Sequence, residues 1–200
     1  IDGVYNAIGV HFYRDPNEKE NGLELTTVTE KIKDNELFNY LLSGKKGYFS
    51  IDGLTVKKSI FNEVGYFNEK LEVAEDTDLI LKMAIKCSLY SGVIHKPLAM
   101  RGVHCDNVFN QTSLYKKKRS RMYESLINWG IQEKLSRQVI DNLLNWLWYY
   151  RNKDNNSLIT ELLYWVDLII KNPSLLFSNL AYKYFPLIRQ RKKLFPILFP

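Results

Sequence analysis

Along the first hundred residues the apolar positions come in short runs whose period switches between two and about 3.6. Residues 3–13, dense in Val, Ile, Phe and Tyr, predict a strand. A polar loop around Asp15-Pro16-Asn17 separates it from a predicted helix over 34–42 that stops at Ser43-Gly44. Residues 48–51 predict a short strand running into a turn at Asp52-Gly53. Leu54-Thr55-Val56 then leads into a short helix over 58–64, closed by Gly65. Leu79, Ile80, Met83 and Ala84 share one face of a helix over 77–87. Strands near 89–94 and 98–103 complete this half, the second ending at His104. Strands alternating with helices predict an α/β layer structure.

From Ser113 onward the period is helical throughout. Met122, Leu126 and Ile127 form one stripe, which Gly130 is expected to break. Leu135, Val139, Leu143 and Leu147 form a second, and Ile159, Leu162, Leu163, Val166 and Ile170 a third. Asn172-Pro173-Ser174 restarts a fourth helix through Leu176, Leu180 and Tyr184, with Pro186 as its stop. The expected division is therefore 1–112, an α/β domain, and 113–200, an all-α region. The end, from Leu194 to Pro200, is apolar beside a basic cluster, which suits either a membrane-surface contact or a core segment awaiting a partner.

Charge sharpens that division. The formal net charge is +6, but residues 1–110 hold 13 Lys and Arg against 16 Asp and Glu, and residues 111–200 hold 15 against 6. The second half carries the basic character, concentrated in Lys116-Lys117-Lys118-Arg119-Ser120-Arg121 and Arg189-Gln190-Arg191-Lys192-Lys193. Such clusters suit an anionic partner, or form a solvated helix face. Two hundred residues, 46% hydrophobic and 14% aromatic, exclude a disordered chain and can bury a core without disulfides. No uncharged apolar run reaches the ~18–20 residues of a membrane-spanning helix. Cys87 and Cys105 form neither a C-x-x-C pair nor a disulfide framework, so a reducing, cytoplasmic compartment is expected. The chain begins Ile1-Asp2-Gly3-Val4-Tyr5 inside a strand, as a piece excised from a longer protein would.

Candidate chemistry concentrates in three places. In Glu75-Asp76-Thr77-Asp78, three carboxylates within four positions crowd one another, which makes one of them a better proton acceptor. The same residues also read as a plain helix start, with Asp76 as N-cap and Asp78 in the first turn. His104 lies in Arg101-Gly102-Val103-His104-Cys105-Asp106-Asn107, without the four ligands of a zinc site. Ser50-Ile51-Asp52-Gly53 is a turn whose glycine permits close backbone approach to a ligand. Neither phosphate-binding glycine loop is present, nor a G-x-S-x-G elbow.

In order and spacing these pieces resemble the C-terminal half of a family 2 glycosyltransferase of the GT-A fold. The resemblance rests on Tyr48-Phe49-Ser50-Ile51-Asp52-Gly53, Lys57-Lys58-Ser59-Ile60-Phe61 and Val64-Gly65-Tyr66-Phe67-Asn68-Glu69. It continues through Glu75-Asp76-Thr77-Asp78-Leu79 and Lys96-Pro97-Leu98-Ala99 to Arg101, His104 and Asn107. It implies that residues 1–112 are the acceptor-side half of a Rossmann-like catalytic sheet, followed by the helical appendage. It implies Asp76 as the catalytic base, with Glu75 shaping its environment. Ser50, Asp52, Gly53, Asp78 and Arg101 are then substrate contacts, and His104 a ligand to a divalent metal, Mn or Mg. The family's metal-binding Asp-x-Asp and nucleotide-binding βα units belong upstream of Ile1, so this chain alone is expected to be inactive.

The activity implied is inverting transfer of a sugar from a nucleotide-sugar donor to a sugar or lipid-linked acceptor in cell-surface polysaccharide or glycoconjugate synthesis. Gln111 is followed by Thr112-Ser113-Leu114-Tyr115 rather than a Q-x-x-R-W motif, which favours a one-sugar transferase over a processive synthase. A cytoplasmic location, peripheral on the inner face of the membrane, is the matching expectation, and no nucleic-acid partner is expected. The alternative from another class is a non-catalytic membrane-surface or protein-interaction module acting through the basic helical region.

Overall fold

The computed structural model describes residues 1–12, 23–103, 112–154 and 156–194, with two compact units, Ile1–Thr112 and Ser113–Pro200. The loop at 15–17, His104 and residues 195–200 lie outside the described residues.

The first unit is mixed α/β. Where one opening strand was expected there are two, β1 (Gly3–Tyr5) and β2 (Ile8–Phe12), each the centre of a three-stranded mixed sheet. β1 runs antiparallel to β4 (Leu54–Val56) and parallel to β5 (Leu89–Ser91). β2 runs antiparallel to β3 (Leu23–Thr26) and parallel to β6 (Ala99–Val103), with Val10 opposite Arg101. Asn6 makes the break. Its backbone N–H donates to the Gly53 carbonyl at 2.8 Å, and its Oδ1 accepts from the Val93 N–H at 3.0 Å. An asparagine that satisfies neighbouring backbone with its side chain competes with the ladder. Ala7 resumes the pairing, donating to Val93 O at 2.7 Å and accepting from Leu98 N at 2.9 Å.

Helix α1 (Asp34–Ser43) ends as expected at Gly44, in the left-handed conformation at φ 67°. α2 (Ile60–Val64) closes at Gly65 with φ 79°. α3 (Glu75–Lys86) packs against both, burying Leu79, Ile80, Met83 and Ala84. The segment 48–51 is not a strand. Phe49 is buried and stacked on Tyr5, with ring centroids 4.3 Å apart, and Ile51–Gly53 forms one turn of 3-10 helix. Ser50 causes the turn: its hydroxyl oxygen accepts the Asp52 N–H, a local bond that a paired strand does not offer.

The second unit is helical. α4 (Thr112–Gln132), α5 (Arg137–Lys153) and α6 (Leu158–Lys171) bury Met122, Leu126, Ile127, Leu143, Leu144, Leu147, Trp148, Trp165 and Leu168. Ser136 and Ser157 cap α5 and α6, accepting from Val139 N and Thr160 N. Gly130 does not break α4. A methyl there would sit 3.0 Å from side-chain carbons of Leu135 and Ile140, so the missing side chain lets the following segment pack close. The expected fourth helix is instead a 3-10 turn (Pro173–Phe177), α7 (Asn179–Lys183), α8 (Pro186–Arg189) and α9 (Arg191–Leu194). Pro186 opens α8 rather than ending its predecessor, since a first-turn proline lacks only an N–H that would go unpaired. Among the described residues no helix is long and apolar enough to cross a membrane.

Candidate active site

Four separated segments of the first unit meet at an open cleft of about 560 Å³, a size suited to a small-molecule ligand. The 3-10 turn supplies Ile51 and Asp52, the start of α3 supplies Glu75 and Asp76, and β6 supplies Met100, Arg101 and Gly102. Phe67, from the loop between α2 and α3, adds a further wall. Asp52, Glu75, Asp76 and Arg101, singled out from the sequence, therefore share one surface although 49 residues separate Asp52 from Arg101.

Each wall has a local cause. The turn is fastened from both sides: Ser50 Oγ donates to Asp52 Oδ2 at 2.9 Å, and the Gly53 carbonyl accepts from Asn6. Gly53 is buried, and a methyl at that position would collide with the Asn6 carbonyl oxygen. Ser50 and Gly53 thus hold Asp52 in place and are not themselves among the cleft-lining residues.

α3 begins two residues too early for Asp76 to cap it. Its N-cap is Ala74, buried, at φ 62° and with no side-chain cap. A left-handed alanine is strained by roughly 1–2 kcal/mol, and it is held there directly before the two cleft carboxylates. Glu75 is exposed and Asp76 half-buried. Thr77 fixes the latter, donating from its N–H at 2.6 Å and its hydroxyl at 3.2 Å to Asp76 Oδ1. Both carboxylates sit in the first turn, where the helix dipole favours negative charge.

Asp78 is placed elsewhere. Two residues correspond to about 200° of rotation on an α-helix, so it lies nearly opposite Asp76. Its carboxylate is fully buried and ion-paired with Lys82, itself nearly buried one turn further on. The expected substrate contact by Asp78 is thus corrected to a buried ion pair. The three-carboxylate cluster reduces to two at the surface for the same reason.

Arg101 is half-buried in β6 and lines the same cleft as the carboxylates. Phe67 and Met100, 46% and 50% exposed, give the cleft apolar surface that sequence reasoning missed. The advance signal was slight: Phe67 lies within one of the fragments that carry the resemblance, and Met100 beside Arg101. Asn6 was missed as well; its traces in sequence are Gly53 and Gly92, since a methyl at either would strike an Asn6 oxygen.

The expected metal ligand, His104, lies outside the described residues, as do Cys105, Asp106 and Asn107. Among the described residues no group of three or more His, Cys, Asp or Glu is placed to hold a metal ion. The chemistry available on the described walls is that of two fixed carboxylates, a third exposed one, a guanidinium and an apolar platform. That set can orient hydroxyls, accept a proton and bind an anionic group. No protein-family model, curated protein or solved structure matches this chain.

Proposed function

We propose that this chain is the acceptor-side half of an inverting glycosyltransferase that uses a nucleotide-sugar donor. One observation carries the reading: the separate fragments that resemble family 2 enzymes converge, so that Asp52, Glu75, Asp76 and Arg101 line a single cleft. Asp76, held by Thr77, takes the proton of an acceptor hydroxyl. The oxygen then attacks the anomeric carbon as the bond to the nucleoside diphosphate breaks, inverting that carbon. Glu75 and Asp52 accept hydrogen bonds from acceptor hydroxyls, Arg101 binds negative charge, and Phe67 offers an apolar face to a sugar ring. The divalent cation implied by the resemblance takes its main ligands from outside the described residues.

The test is sugar transfer by the full protein that contains this chain, comparing wild type with Asp76→Asn. Loss of a positioned base lowers the rate about 10²–10⁴-fold, with circular dichroism unchanged. Transfer by Asp76→Asn at the wild-type rate overturns the proposal. Donor-dependent turnover by the 200-residue chain alone overturns the assignment to one half of a catalytic domain.

A second reading, an interaction module built on residues 113–200, has its own support in the apolar surface that α6 leaves exposed.

A further inference from the structure

Helix α6 carries two stripes with identical spacing on opposite sides. Glu161, Trp165, Leu168 and Asn172 point into the unit and are buried. Ile159, Leu163, Val166 and Ile170 repeat that spacing two residues earlier, about 200° around the helix, and are 70%, 67%, 53% and 71% exposed. The sequence pattern marks these residues, with Leu162, as an apolar helix stripe, and within its unit the stripe faces solvent. The 3-10 turn packed against α6 adds Leu176 at 59% and Phe177 at 93% exposure.

We propose that this face is a homodimer interface, with α6 of one protomer packed on α6 of a second copy. Spacings of four, three and four residues place the exposed stripe on the a and d positions of a heptad, the seam along which two helices interlock. A stripe on a single helix is self-complementary about a twofold axis, as a closed dimer requires. Those six side chains expose on the order of 600–800 Å² if each offers roughly 150–200 Å² when free. That exceeds the apolar patch of an ordinary monomer and matches the ~800 Å² per partner of a stable interface.

Charge selects a protein over a lipid surface. Helices that lie on membranes carry Lys and Arg along the polar face. α6 has one cation, Lys171, and it is engaged by Asp167 at 2.6 Å and Glu124 at 3.1 Å. The positions flanking the seam are Thr160, Leu162, Asp167 and Ile169. Two copies therefore meet along a seam with little like-charge repulsion, whereas α6 offers an anionic bilayer one cation, already held by two carboxylates.

Sedimentation velocity on the 200-residue chain tests this directly. Wild type is expected to dimerise within about 1–100 μM, the weaker part of the range for interfaces of this size. Leu163→Glu and, separately, Ile170→Gln should raise the dissociation constant at least about thirtyfold, with tryptophan emission and helical content unchanged. Both positions are exposed in the protomer, so the variants retain its core. A wild-type monomer throughout that range overturns the proposal, as does undiminished dimerisation of both variants. Co-flotation of a monomeric wild type with phosphatidylglycerol vesicles, lost in Leu163→Glu, overturns it in favour of a lipid surface.

Discussion

Glu161 is an acid buried to 2% exposure in the second unit, and the consequence of neutralising it can be worked out from its partners. Arg151 grips it bidentately, Nε to Oε2 at 2.9 Å and Nη2 to Oε1 at 2.7 Å, while Asn156 Nδ2 donates to Oε1 at 2.7 Å. The guanidinium also lies 3.4 Å from the centroid of the Tyr164 ring. Glu161→Gln keeps the shape but leaves a cation with 11% side-chain exposure facing a neutral amide. Breaking a buried pair from one side costs about 3–5 kcal/mol, whereas replacing both members with apolar residues is often nearly neutral. All four tryptophans, Trp129, Trp146, Trp148 and Trp165, belong to this unit, so their fluorescence isolates its unfolding from that of the first. With a urea dependence of roughly 1–1.5 kcal/mol per molar for a unit of this size, the midpoint should fall by about 2–5 M. Arg151→Met with Glu161→Leu together should recover most of that loss. A fall below about 0.5 M for Glu161→Gln, or a double variant as damaged as the two singles combined, would refute the argument.

Three further outcomes follow from other parts of the molecule. Burial opposes ionisation of Asp141, but hydrogen bonds from Lys183 and Tyr184 outweigh it and hold the carboxyl below its ordinary range. Its contribution to stability is therefore complete above the unfolded value near pH ~3.9 and disappears as pH falls through the lower folded value. Asp141→Asn should flatten the acid limb of the second unit's stability curve, read by tryptophan emission between about pH 5 and pH 2. Ala74→Gly should leave the thermal midpoint of the first unit unchanged or slightly raised, because glycine adopts the left-handed conformation freely. Ala74→Val should cost at least about 1–2 kcal/mol by circular dichroism, and an equal response to both would contradict a strained cap. Gly53→Ala should destabilise the first unit by about 1–3 kcal/mol, because its methyl meets the Asn6 backbone rather than a flexible side chain.

How much of this was legible beforehand depended on how local the cause was. The ends of α1 and α2 were readable because Gly44 and Gly65 take positive φ at positions where other residues rarely can. The strand break at Asn6 was not, because its cause is bonds to Gly53 and Val93, 47 and 87 residues away. The 3-10 turn replaced an expected strand through a side-chain bond from Ser50 that alternation cannot register. Within the cleft, Glu75 and Asp76 stood out as an acidic run and Asp52 as part of a glycine turn, whereas Arg101 was marked only through the family resemblance. The exclusion of Asp78 follows from helix period alone once α3 is known to run through it.

α6 shows where pattern reading reaches its limit in principle. Hydrophobic period reports that a face avoids water, and it carries no information about what does the covering. Ile159, Leu163, Val166 and Ile170 satisfy that period as well as Glu161, Trp165, Leu168 and Asn172, and better by residue type, since the buried set includes an acid and an amide. The unit nevertheless buries the polar-containing stripe, because Arg151 and Asn156 reach Glu161, and Asn128 reaches Asn172 at 2.6 Å. Those bonds fix the rotation of α6 about its axis: turning it to bury the aliphatic stripe would leave Arg151 without its carboxylate. The cost of choosing the polar face is an uncovered aliphatic one, a cost that association with another surface can remove. The polar clamp and the exposed seam are thus two consequences of one rotation, and a variant that releases the clamp should weaken both the fold of the unit and its self-association.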